Sequence, residues 1–436
     1  MRLKRLAGAL AIVGVLLTTA GVTAAAADDQ ELAKSQIFPD IQITGAGATF
    51  PCNYIEQARA DAAKQGLKVT YQCIGSGGGR SAFIAGTVDF AGSDVPLSAD
   101  EQNKLSGTKY VQFAYVGGGI TLGYNPGSGI PNNIKLSADS IGKIFSGKIV
   151  KWNDAQLLSE NPGASLPDLA IRVAVRSDSS GTSNGFTTFM SQTSSSWPGG
   201  TRNVFNSPPL PNFPGLLAAN GNDGVANAVR DNPGMIGYME LSFARERKLN
   251  IAAVGVPNGF FLPDSSSVSK TIAAARLNGD GSATVDFNNA PGYPISVVTY
   301  LLVRQDNKDP KKASNLRAFA QLLLSNNSKA DALAYAPLGS SFVSYANQQI
   351  PLIGPGGDQP VTTTTTTTTA PSTTAAAGTT TPPTTAPATT APPATAAPAT
   401  TPTTGTTSGP LVALGLSLLV AGLGLALLSR RRFSTS

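Results

Sequence analysis

Residues 175–183, Val175-Arg176-Ser177-Asp178-Ser179-Ser180-Gly181-Thr182-Ser183, gather hydroxyls and small side chains beside one arginine. A mostly apolar run, 169–175, precedes them, and Phe186, Phe189 and Met190 follow at helical spacing. This pattern predicts a strand-to-helix turn. A helix N-terminus presents unpaired N–H groups and the positive end of the helix dipole. Hydroxyl donors and a guanidinium added there suit an oxyanion. An ordinary N-cap with solvated Ser and Thr has the same local signature, so the motif alone leaves both open.

Composition excludes several chemistries. The chain has no histidine, so Ser-His-Asp and Cys-His nucleophile systems and His-ligated metals are ruled out, and no metal or cofactor site is expected. The formal charge is +6. Arg2, Lys4 and Arg5 at one end and Arg430, Arg431 and Arg432 at the other account for that whole surplus. The region between them is close to neutral, which argues against nucleic acid as a partner. The two cysteines, Cys52 and Cys73, are expected to form a disulfide if the chain is exported, with two unpaired thiols as the competing state.

The ends of the chain predict export. Residues 1–27 have a basic start, an apolar run and an alanine-rich cleavage region, the parts of a signal peptide. Residues 361–409 are almost entirely Thr, Pro and Ala without charge and are expected to form a disordered, extended stalk. The apolar residues 410–428 that follow match a bilayer core of about 30 Å and predict a transmembrane helix. The arginines after it place residues 429–436 in the cytoplasm. The segment Thr401-Pro402-Thr403-Thr404-Gly405 also resembles a sortase signal of the form Leu-Pro-x-Thr-Gly without its leucine. The protein is thus expected outside the cytoplasm, held to the membrane by its C-terminal segment, with cell-wall attachment as the alternative.

Between residues 40 and 352 strands and helices alternate, the pattern of α/β folds. Strands are expected at 41–43, 68–72, 87–91, 110–115, 120–124, 235–239 and 295–303, and helices at 52–64, 80–85, 98–104, 137–145, 241–247 and 310–324. The strand at 295–303 is expected to pair with 120–124, and residues 256–285 read as mostly loop. Three successive strands end in turns rich in Gly, Ser or Thr, and ligands of open α/β sheets sit at such strand ends. About 310 residues exceed one usual core. We therefore expect two lobes, residues 40–122 with 296–352 and residues 123–295, joined by a hinge with a ligand cleft between them.

Four motifs occur in series: Gly45-Ala46-Gly47-Ala48-Thr49-Phe50-Pro51, Ile74-Gly75-Ser76-Gly77-Gly78-Gly79, Val88-Asp89-Phe90-Ala91-Gly92-Ser93-Asp94, and Arg176 to Ser183. Lys148 to Trp152, Asn222 to Gly224 and Pro294 to Val303 fit the same pattern. With these motifs the chain resembles the extracytoplasmic phosphate-binding proteins of high-affinity phosphate ABC transporters, over about residues 40–352. The resemblance implies a type II periplasmic-binding-protein fold, inorganic phosphate as ligand and an ABC-type permease as partner. It also implies a ligand set: Thr49, Phe50, Ser76 and Asp94 from one lobe, and Arg176, Ser180, Gly181 and Thr182 from the other. Asp178 is expected to orient Arg176, and Gly77 to allow close backbone approach. A carboxylate at Asp94 would repel a fully ionised anion, so it should select phosphate, which keeps a proton, over sulfate. A non-enzymatic phosphate receptor is the expected function. A stalked adhesin reusing the fold is the alternative, and a phosphatase lacks the residues for turnover.

Overall fold

The computed structural model describes residues 40–207 and 213–354. The expected signal peptide, stalk, transmembrane helix and basic tail lie outside the described residues. Among the described residues no helix is long and apolar enough to cross a membrane.

A nine-stranded sheet organises the molecule. Its strands are β1 (Ile43–Gly47), β2 (Val69–Cys73), β3 (Phe90–Ser93), β4 (Tyr110–Tyr124), β5 (Arg172–Arg176), β6 (Leu216–Ala219), β7 (Met235–Glu240), β8 (Asn250–Ile251) and β9 (Ser296–Arg304). Their order is β2-β1-β3-β9-β4-β7-β5-β6, with β8 also on β4. β1, β2 and β3 run parallel, as do β5, β6 and β7. The strands between these sets are antiparallel to their neighbours. β9, SVVTYLLVR, is buried at every position but the last, as expected for a β-rich run covered on both faces.

β4 joins the two lobes. Its first part, from Tyr110 to Gly119, pairs with β9, and Ile120 to Tyr124 pair with β7. The two short strands expected here are one strand of 15 residues. The expected pairing of 295–303 with 120–124 is corrected accordingly: β9 lies against Tyr110 to Gly119, and just before it the Ile295 carbonyl accepts from the Ile120 N–H at 2.8 Å. Gly117, Gly118 and Gly119 gave the appearance of a break in the sequence. In the fold their missing side chains make room for Ile272, Phe50 and Val268.

Four helices position the site: α1 (Cys52–Lys64), α2 (Ser76–Ala85), α3 (Gly181–Thr193) and α4 (Gly221–Asp231). α1 buries Tyr54, Ile55, Ala58 and Ala62, a helical stripe. Cys52 at its start is disulfide-bonded to Cys73 at the end of β2, with Cα atoms 6.3 Å apart. α2 starts four residues earlier than expected. Its glycines are helical because tight packing requires them: a Cβ on Gly79 would stand 2.3 Å from the Cα of Gly47. Residues 256–285 hold more structure than expected, including a helix at Ser265–Ala274 capped by Asp264.

Candidate functional site

The parallel strands of each lobe end toward the other lobe, and each end opens into a helix. In the first lobe β1 runs into Thr49 and Phe50 ahead of α1. Both are buried, and the Phe50 carbonyl accepts from the Tyr335 hydroxyl at 2.7 Å. β2 leads through Gly75 into Ser76, the first residue of α2. β3 leads directly into Asp94.

In the second lobe β5 ends at Arg176, whose side chain is only 1% exposed. Its Nε donates to Asp178 Oδ1 at 2.7 Å, its Nη2 donates to Asp178 Oδ2, and its Nη1 donates to Thr182 Oγ1 at 3.3 Å. Asp178 Oδ1 also accepts from the Gly221 N–H at 3.1 Å. Burial alone would raise the Asp178 carboxyl, but Arg176 and the Gly221 N–H hold it below the usual carboxylate range. This carboxylate therefore fixes the guanidinium plane and leaves Nη1 facing Thr182. Ser180 caps α3, its hydroxyl accepting from the Ser183 N–H at 3.1 Å.

The lobes meet at these turns. Ser76 Oγ accepts from the Gly181 N–H at 3.1 Å and from the Asp94 N–H at 3.2 Å. The Gly77 N–H donates to the Ser179 carbonyl at 2.9 Å. Both glycines are sterically required. A Cβ on Gly77 would lie 2.4 Å from Ser179 Cβ, and one on Gly181 would lie 2.5 Å from Asp94 Cβ. The arrangement is a closed one.

Asp94 is the exception among donors. It is buried. Its Oδ2 accepts from Ser76 Oγ at 3.2 Å, while Oδ1 is buried with no hydrogen-bond partner among the described residues. Burial pushes the carboxyl up to about 6, opposed by the Thr299 hydroxyl, Arg176, Ser76 and Arg80. A cleft of about 210 Å³ borders Asp94 between Asn184 and Thr188 on one side and Val297 and Tyr300 on the other. One guanidinium, several hydroxyls and the starts of α1, α2, α3 and α4 thus surround one acceptor-only carboxylate. Such a set can hold an oxyanion that carries a proton of its own. No cluster of His, Cys, Asp or Glu among the described residues could hold a metal.

Of the residues expected to bind the ligand, hydrogen bonds join Ser76, Asp94 and Gly181 in one group and, through Asn222, Thr49, Thr182, Arg176 and Asp178 in another; Phe50 bonds Tyr335 and Ser180 caps α3 instead. Two further residues take part that were not assigned a role from the sequence, although Asn222 opens one of the segments that fit the family pattern. Asn222, fully buried, donates from Nδ2 to Thr49 Oγ1 at 2.8 Å and to Thr182 Oγ1 at 3.3 Å. Tyr238 accepts from the Arg176 N–H at 3.1 Å and bonds Ser183 Oγ at 2.7 Å. The segment Asn222 to Gly224 fits the family pattern, but nothing in it announces a partner 173 residues away.

Known proteins resemble this chain in sequence and fold. A family model described as a PBP superfamily domain matches residues 20–327. The phosphate-binding protein PstS of Xylella fastidiosa is 36% identical over 312 residues, covering 70% of this chain and 83% of that one. The chain belongs to the PstS family. The PstS protein of Haemophilus influenzae is 35% identical over 315 residues, 70% of this chain and 92% of its own. Among solved structures, a high-affinity periplasmic phosphate-binding protein, PfluDING, bound with phosphate at pH 8.5, superposes with a TM-score of 0.57 at 26% identity, covering 70% of this chain and 92% of that chain. The two-lobe α/β architecture described above is thus that of periplasmic binding proteins.

Proposed function

We propose that the protein captures inorganic phosphate between its lobes and delivers it to an ABC-type phosphate permease. The observation that carries this is Asp94 Oδ1, a buried acceptor without a hydrogen-bond partner among the described residues, in a site whose other carboxylate, Asp178, is already taken up by Arg176 and the Gly221 N–H. Phosphate at neutral pH has a proton to give it; sulfate does not. Arg176, the hydroxyls of Thr49, Ser180 and Thr182, and the N–H groups around Phe50 would receive the remaining oxygens, with the Ser76 hydroxyl and the Gly181 N–H exchanging their bonds to Asp94 and to each other for bonds to the anion as it binds. Closure removes the anion from water and strengthens each of these contacts. The names of the relatives support the ligand, and none of those named is an adhesin. The chain binds rather than transforms its ligand in this account, consistent with its lack of histidine. Residues 410–428 followed by Arg430 to Arg432 would hold the receptor at the outer face of the membrane.

The test is calorimetric titration of the full-length chain with phosphate and with sulfate at pH 8. A site built around a ligand hydroxyl rejects an analogue lacking it by about 10⁴-fold. Asp94→Asn supplies a donor in place of the carboxylate, so sulfate affinity should rise toward that of phosphate. Equal affinities for the two anions in the unmutated chain would refute the assignment.

A further inference from the structure

Asn222 stands at the second position of α4 and reaches across the cleft. Its side-chain Nδ2 donates to Thr49 Oγ1 at 2.8 Å and its backbone N–H donates to the same oxygen at 3.2 Å. A hydroxyl has two lone pairs and one proton, so both acceptor positions of Thr49 are filled. On the opposite lobe, Thr182 Oγ1 accepts from Asn222 Nδ2 and from Arg176 Nη1, each at 3.3 Å. That hydroxyl is filled in the same way. The carboxamide cannot be turned around, because its Oδ1 accepts from the Glu240 N–H at 3.0 Å.

Resting on the phosphate assignment above, we propose that Asn222 is a positioning residue that makes Thr49 and Thr182 obligate donors toward the bound anion. Free to rotate, each hydroxyl could present either a lone pair or a proton to the ligand. With both lone pairs occupied, only the proton remains. Thr49 belongs to one lobe and Asn222 to the other, so the Thr49 proton is committed only when the lobes close. Selectivity for an oxyanion is thereby tied to closure, through one amide that touches both lobes and need not touch the ligand.

A double-mutant cycle on the full-length chain tests this, with phosphate affinity measured by calorimetry. Asn222→Ala should weaken phosphate binding about tenfold, the order of one lost buried hydrogen-bond network. In a chain carrying Thr49→Val and Thr182→Val, the same substitution should cost less than about twofold, because the groups it acts through are gone. A loss of equal size in both backgrounds would overturn the proposal, as would an unchanged affinity in Asn222→Ala alone. Should the alanine variant not fold, Asn222→Asp keeps the volume and the acceptor for the Glu240 N–H. Its carboxylate draws both hydroxyl protons to itself, so Thr49→Val in that background should cost less than it does beside Asn222. An equal cost would again overturn the proposal. If the unmutated chain binds no phosphate, the phosphate assignment fails and this inference with it. If it binds phosphate and the cycle is additive, only the role of Asn222 fails.

Discussion

Gly181→Ala should separate closure from folding, because its two consequences have opposite signs. The new Cβ would stand 2.5 Å from Asp94 Cβ and 2.6 Å from Ser76 Oγ. Neither can yield freely: Asp94 Cβ is anchored directly to the backbone, and Ser76 Oγ bridges the Asp94 and Gly181 N–H groups. Overpacking of this kind costs about 1–3 kcal/mol. The clash joins residues of opposite lobes, so it is met only on closure, and the cost falls on binding. Phosphate affinity should drop about 5- to 150-fold. Within its own lobe, residue 181 opens α3 with an ordinary helical backbone, so alanine should be neutral or stabilising there by up to about 1 kcal/mol. Calorimetry gives the affinity, and thermal unfolding without phosphate gives the stability. Weaker binding with an unchanged or higher unfolding midpoint is expected. An affinity within twofold of the unmutated chain would refute the closed geometry as the binding state, and a fall of both together would place the damage in the fold instead.

Sulfate rejection should depend on pH in one direction. The Asp94 carboxyl is raised to about 6 by burial, so it is protonated, and a donor, below that pH. Sulfate affinity should therefore be highest below pH 6 and fall about tenfold per unit above it, as the protonated fraction falls. Titrations from pH 5 to 8 test this, and Asp94→Asn should abolish the step. Glu240 is a second buried acid, raised to about 8, but its carboxyl bonds Ser242, so a step surviving in Asp94→Asn would point there and contradict the assignment. Arg176→Lys keeps the charge but loses the paired bonds to Asp178, and phosphate affinity should fall by at least about 30-fold, in line with roughly 2 kcal/mol or more for truncating one partner of a buried charged pair. Replacing Cys52 and Cys73 by serine opens a bridge spanning 21 residues, which should remove roughly 3 kcal/mol of stability by chain entropy. Denaturant unfolding measures it, and phosphate affinity at low temperature should change little.

The site was largely legible because its parts are local. A strand, a turn rich in Gly and Ser, and a helix follow one another within a few residues, and each turn carries its own donors. The paired acid Asp178 lies two residues from Arg176, near enough in sequence for its orienting contact to be expected. What the sequence hid depends on distant segments. The continuity of β4 through Gly117 to Gly119 rests on β9 and β7 completing the ladder on either side, and local glycine content signals the reverse. Helical structure at Gly77 to Gly79 is unfavourable by propensity and is imposed by Gly47 and Ser179 pressing against the helix. Asn222 resembles any polar residue at a helix start, because the hydroxyls it serves come from Thr49 and Thr182.

The most direct measurement is the structure of the protein crystallised with phosphate. The account predicts a tetrahedral anion enclosed between the lobes, with one oxygen within hydrogen-bond distance of Asp94 Oδ1 and others on Arg176, Thr49 and Thr182. Phosphate bound elsewhere, or bound here with Asp94 turned away from it, would contradict the account.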